Sequence, residues 1–237
     1  MTVDEKEMPV DGRGLQGVVQ TALDTALRVQ ADLIEKNLIR ARQRNPNGTP
    51  SEAIMSLERM YRSALTGTGA GVGAAAAAPG VGTGAALVLA GGEALTSLEL
   101  STLFALSVAH IHGVRVDEIE RRRTLIMGIL AGGGSTEMIK RVAQRTGPHW
   151  AKTIVAKVPA SQLTAINKVL GRHFITKYGT KQGIIVLGKV VPFGLGAVIG
   201  GAANLVFAET AVRATRRAFG PAPTHWRSGG EHQITPS

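Results

Sequence analysis

The 237 residues contain no cysteine, which excludes disulfides and thiolate chemistry and leaves the redox compartment open. Aromatic residues make up only 4% of the chain against 44% hydrophobic residues in all, so a core must be built from Ala, Leu, Val, Ile and Gly. Side chains that small let backbones approach closely, which suits helix packing better than a β-sandwich. No apolar–polar alternation of useful length occurs, and strands are not expected. The first residues, MTVDEKEMPVDGRG, are acidic and lack the apolar segment of a secretory signal, so the expected location is the cytosolic side. Acidic residues are the minority, 17 against 27 Lys and Arg, and the net charge of +10 favours an anionic partner, either lipid or nucleic acid.

Charge is also missing locally. From Ser63 onward a long run carries none, and its centre, Thr66 to Gly92, holds nine glycines, nine alanines and one proline. Val190 to Ala208, VVPFGLGAVIGGAANLVFA, is a second such stretch. In the first, Gly69/Gly73 and Gly80/Gly84 have the small-xxx-small spacing that puts two glycines on one helix face, and Pro79-Gly80 predicts a break or sharp kink. In the second, Pro192, Gly194, Gly196 and Gly200 play the same part, with Asn204 (and Glu209 just beyond) expected to hydrogen-bond between helices. Two readings stand side by side. Both stretches are buried core helices of a soluble bundle, or they enter a membrane. Only five strongly apolar residues lie between Thr66 and Gly92, contributing roughly −1.5 to −3 kcal/mol to insertion, against roughly −3 to −5 for Val190–Ala208. Positive clusters lie on both sides of the first stretch and Pro79-Gly80 breaks it at its middle, so a hairpin turning there is expected rather than a full crossing, while Val190–Ala208 keeps a length that could span.

Around these stretches the pattern is helical throughout. Apolar positions recur every three or four residues from Leu15 to about Arg44, predicting one amphipathic helix that Asn45-Pro46-Asn47-Gly48 ends. Thr49-Pro50-Ser51-Glu52 opens the next with a capping box. Further helices are expected to about Gly113, from Val116 to Leu130 with Asp117/Arg121 and Glu118/Arg122 pairs, from Trp150 to Val158 and from Ser161 to Tyr178. The fold class is all-α, a multi-helix bundle, with residues 1–13 as a flexible leader, 14–220 as a single helical domain and 221–237 as a disordered tail. The cations Arg121, Arg122, Arg123, Lys140, Arg141, Arg213, Arg216 and Arg217 are either solvated helix faces or contacts to anionic headgroups.

Motifs for chemistry are thin. Gly69-x-Gly71-x-Gly73-Ala74 imitates a dinucleotide fingerprint, and Glu93 stands near the distance of its acid, but no strand precedes it. Gly132-Gly133-Gly134-Ser135 lacks the lysine of a phosphate loop and reads as a helix cap. His110 and His112 are two apart, which on a helix turns them away from each other, so no metal site is expected. No nucleophile elbow occurs. No cofactor is expected, and no catalytic residue is assigned.

Three blocks resemble the bacterial EcsC family: Pro79-Gly80-Val81-Gly82 with the apolar helix after it; Gly113-Val114-Arg115-Val116-Asp117 and Arg121-Arg122-Arg123 leading into Ile126-Met127-Gly128-Ile129-Leu130; and Lys189 to Asn204. The resemblance covers about residues 50–220. It implies a helical, membrane-associated bacterial protein and supplies no catalytic residues; His110-Ile111-His112 departs from its apolar pattern. The expected function is a non-enzymatic accessory or scaffold factor at the cytoplasmic face of the cell membrane, peripheral or inserted as a hairpin. Its expected partners are the anionic lipid surface and a membrane protein. The alternatives are a soluble basic bundle binding nucleic acid, disfavoured because the basic residues are spread along the chain, and a membrane-associated hydrolase without an identifiable site.

Overall fold

A computed structural model of the chain describes residues 12–28, 31–76, 83–114, 116–131, 149–159, 161–172, 174 and 195–226. The described residues form helices and contain no strand, and the all-α expectation holds. In chain order the helices are α1 (Gly12–Ala26), α2 (Ala31–Gln43), α3 (Pro50–Ala76), α4 (Thr83–Ile111), α5 (Ile119–Leu130), α6 (Trp150–Lys157), α7 (161–172) and α8 (Leu195–Phe219).

Local chemistry sets several of the helix ends. Thr49 and Glu52 close the expected capping box at the start of α3: the Glu52 N–H reaches Thr49 Oγ1 at 3.3 Å and the Thr49 N–H reaches Glu52 Oε2 at 2.7 Å. At the end of α4, Gly113 takes φ +70°, and the Val114 and Gly113 N–H groups bond to the Ala109 and His110 carbonyls. This is the Schellman arrangement, which needs a residue free to turn left-handed. The segment expected as one helix from Leu15 to Arg44 is instead two. After α1 the Arg28 N–H bonds to the Thr25 carbonyl, tightening the last turn, and α2 starts anew at Ala31. Likewise α5 begins at Ile119, not Val116, because Glu118 is extended (φ −74°, ψ 130°). The expected i,i+4 pairs of Asp117 and Glu118 therefore do not form, and Arg121 pairs with Glu118 at i,i+3.

The core is organised about α3 and α8, which share the most extensive interface of the bundle. They are antiparallel. Glu58 faces Arg216, Arg62 faces Glu209, the Leu65 carbonyl faces Asn204, and Thr66 and Ala70 face Gly201. Helix α4 runs back beside α3, with Tyr61 stacked on Phe104 at 4.7 Å and bonded to Ser101 at 2.8 Å. Burial pushes the Tyr61 phenol pKa well up, so it stays neutral. Helices α1 and α2 cover α4 and α3, while α5 and α6 pack on α8.

The stripe Gly201, Asn204, Ala208, Ala211 and Thr215 is the buried face of α8 at three- and four-residue spacing. A Cβ at Gly201 would stand 3.5 Å from Ala70 Cβ and 3.7 Å from Thr66 Cγ2, ordinary contact with no room beyond it. Gly201→Ala is expected to melt within about 0.5 kcal/mol of the parent. Gly201→Leu is expected to lose about 1–3 kcal/mol by overpacking. Urea unfolding compares them, and equal stability of the two variants would contradict this packing.

Candidate functional site: an uncharged helical end above a ring of ion pairs

Three helices lose their charge at the same height. The last charged residue of α3 is Arg62, the first of α4 is Glu93, and the first of α8 is Glu209. These residues are held together. Arg62 Nε donates to Glu209 Oε1 at 2.6 Å, and Asn204 Nδ2 donates to Glu93 Oε1 at 2.7 Å and to the Leu65 carbonyl at 2.9 Å. Glu58, one turn below Arg62, is 2% exposed and lies 3.6 Å from the Arg62 guanidinium. It also takes two bonds from Arg216, from Nε at 2.6 Å and Nη2 at 2.5 Å. Those bonds hold the Arg216 pKa above its ordinary value.

Beyond this ring, residues 63–76 of α3, 83–92 of α4 and 195–208 of α8 carry no charge. At the helical rise of about 1.5 Å per residue, the fourteen-residue ends of α3 and α8 extend about 20 Å past the ring. Large apolar side chains stand open to solvent there: Val198 is 70% exposed, Val206 67% and Leu205 42%. Gly67 and Gly71 on α3 have nothing within 4 Å of where a Cβ would be. Below the ring, α8 presents Arg213 and Arg217 to solvent, and α3 presents Arg59.

The residues singled out in the sequence divide between these surroundings. Gly69 is buried in α3, and Gly73 lies one turn on in the same helix. Gly84 lies in the first turn of α4, and Gly196 and Gly200 lie in the first turns of α8. Pro79, Gly80, Pro192, Gly194, Lys140, Arg141 and the Gly132–Ser135 run lie outside the described residues. Asn204 is the polar tie between α3, α4 and α8 described above, and Glu93, weighed as the acid of a dinucleotide fingerprint, is its partner.

The arginine run of α5 is spent inside the molecule. Arg121 Nη1 donates to the Val158 carbonyl at 3.0 Å, and Arg122 donates to the Val116 and Leu27 carbonyls at 2.7 and 3.2 Å. Arg123 pairs with Asp24 at 2.9 Å. These three therefore staple α5 to neighbouring segments, whereas Arg213 and Arg217 of α8 are exposed. Of the two histidines, His110 is exposed, whereas His112 is buried and stacked on Phe219 at 5.2 Å. Burial, with Lys152 and His149 nearby, lowers its pKa to about 4.

One described segment, Gly92–Ile111 of α4, is long and apolar enough to cross a membrane, and 67% of it is buried inside the molecule. It is the next part of α4, below the ring, and not either of the two stretches singled out in the sequence, each of which lies partly outside the described residues. A helix covered on most sides in this way is apolar because it is core.

Sequence reasoning missed Gly201, the glycine at the α3–α8 contact. Its signal was the stripe from Thr215 back through Ala211, Ala208 and Asn204, which reaches Gly201 and passes by Gly200.

The fold and its uncharged end define an all-helical protein organised around an antiparallel α3–α4–α8 core. The EcsC protein family model matches residues 12–220, and the chain belongs to that family. The match takes in α1 and α2, which the resemblance by motif, starting near residue 50, left out. No curated protein and no solved structure matches the chain.

Proposed function

We propose that this EcsC-family protein is a membrane-associated accessory factor that acts by docking, not by turnover, and enters the cytoplasmic face of the membrane by the uncharged end of α3, α4 and α8. The observation that carries this reading is the common height at which the three helices lose their charge, with Val198 and Val206 exposed above it. An end about 20 Å deep passes one leaflet of a hydrocarbon core roughly 30 Å thick but does not cross it. The antiparallel course of α3 and α4 keeps both their charged halves on one side, in keeping with a hairpin. Exposed Arg59, Arg213 and Arg217 then lie at headgroup height, where each cation contributes about 1 kcal/mol on an anionic leaflet.

Flotation with vesicles tests this. Binding is expected to rise with the fraction of anionic lipid and to weaken with salt, while part of it persists at high salt through the apolar end. Because the chain has no cysteine, Arg44→Cys and Arg217→Cys give single labels, and both are expected to react only from the cytoplasmic side. Protein that stays unbound at every lipid composition, or Arg217→Cys labelled from outside, would refute the reading.

A further inference from the structure

The end of the bundle remote from the uncharged tip is positively charged. From Lys36 to Ser51 the chain holds four cations, Lys36, Arg40, Arg42 and Arg44, and no acid. Lys36 and Arg40 stand one turn apart on α2, and Arg44 follows one turn on, just past its end. The three form a line with steps of about 6 Å. All are exposed, and none makes a hydrogen bond or ion pair among the described residues. Arg42 projects to another side, where its guanidinium lies 4.7 Å from the centre of the Trp226 ring. The acids on either side supply no counter-charge. Glu52 is engaged by Thr49 in the capping box, and Asp32 and Glu35, at the upper end of the line, are within ion-pair distance of none of the three.

Height excludes the leaflet that the tip enters as the ligand of this line. Leu33 faces Leu100 and Leu103 across a small cleft, and Asn37 donates to Ser107 Oγ at 2.9 Å, so α2 descends beside α4. Ser107 is fourteen residues past Glu93, about 21 Å below the ring of ion pairs. Lys36 stands near that level, and Arg40 and Arg44 lie lower still. The potential of an anionic leaflet falls off over a Debye length of about 8 Å, and more than two of these intervene. Single-stranded nucleic acid is disfavoured on other grounds, since it binds by stacking bases on open aromatic rings. Among the described residues Trp226 is the exposed aromatic, but Arg42 covers its ring and its indole N–H is given to the Gly48 carbonyl at 3.0 Å. An acidic polypeptide meets the line directly. Alternate residues of an extended chain point to one side about 6.6 Å apart, close to the step between the cations. Each guanidinium fork also matches a carboxylate.

We propose that Lys36, Arg40 and Arg44 form a docking line for an acidic, extended segment of a partner protein on the cytosolic side, one that carries carboxylates at alternate residues. The choice of protein over lipid rests on the membrane reading above. The docking itself is measured without lipid, so its failure is distinct from a failure of the flotation experiment.

The probe is a fluorescein-labelled peptide of twelve residues alternating Glu and Ser, titrated with the full chain in the absence of vesicles and followed by anisotropy. The same peptide with Gln in place of Glu is the neutral control, and an oligothymidylate of equal charge is the competing polyanion. The acidic peptide is expected to bind saturably and to weaken with salt, and the Gln peptide is expected not to bind. Arg40→Gln combined with Arg44→Gln is expected to lose about tenfold in affinity, the effect of two exposed ion pairs, at an unchanged melting temperature. Arg213→Gln combined with Arg217→Gln removes the same charge from α8 and is expected to lose less than about threefold, which separates the line from the net charge of +10. Equal losses in the two double variants, a Gln peptide bound as well as the acidic one, or no saturable binding at millimolar peptide would each overturn the proposal. Oligothymidylate bound more tightly than the acidic peptide would overturn it too, and would assign the line to nucleic acid.

Discussion

Val198→Asp combined with Val206→Asp is expected to abolish vesicle binding while leaving the melting temperature close to that of the parent. Both side chains are exposed in the folded chain, at 70% and 67%, so a carboxylate at either place stays in water and breaks no packing. In lipid the account reverses. An acidic side chain at the centre of an inserted helix costs about 2.5–3.5 kcal/mol, so Val198→Asp alone reduces the affinity by on the order of a hundredfold, and Val206→Asp, nearer the interface, adds a smaller loss. Depth grades the effect. Val198 is eleven residues above Glu209 and Val206 only three, placing them about 16 and about 4 Å beyond the ring of ion pairs. Val198→Asp alone should thus be the more damaging of the two single changes. Arg217→Gln, at headgroup height, should remove only a salt-sensitive part of about 1 kcal/mol. Flotation of the folded double variant at the parental level would show that this end never enters lipid.

How much of this was legible in the sequence follows the reach of each interaction. The Thr49–Glu52 capping box joins residues three apart, and its pattern was plain. The turn at Gly113 and the helix beginning at Trp150 were equally local. The break between α1 and α2 was not legible, because the apolar period runs through Leu27 without a glycine or proline to interrupt it. The role of Arg121–Arg123 was hidden for another reason. Arg122 donates to the Leu27 carbonyl, 95 residues away, and a backbone acceptor leaves no mark in composition. The ring beneath the uncharged end depends on Arg62 meeting Glu209 across 147 residues, so its height appears only when α3 and α8 are laid antiparallel. The segment after α8 is held in the same long-range way, by Trp226 reaching back 178 residues to Gly48.

Arg216→Ala is expected to destabilise the fold far more than Glu58→Gln, although the two residues form one pair. The asymmetry comes from burial: Glu58 is 2% exposed and Arg216 59%. Truncating the arginine strands a buried carboxylate with only Arg62 near it, at 3.6 Å, and Arg62 is already committed to Glu209 at 2.6 Å. Breaking a buried pair from that side costs about 3–5 kcal/mol, because the remaining charge has no compensation. Glu58→Gln removes the buried charge instead. Its amide oxygen still accepts from the guanidinium, and the exposed part of Arg216 turns to water, so the loss should be about 1 kcal/mol. Replacing both, as Glu58→Met with Arg216→Met, removes charge and partner together and should recover much of what Arg216→Ala loses. Urea unfolding of the four proteins measures the order directly. Equal losses for the two single changes, or a double variant less stable than Arg216→Ala, would mean that burial of Glu58 does not govern the pair.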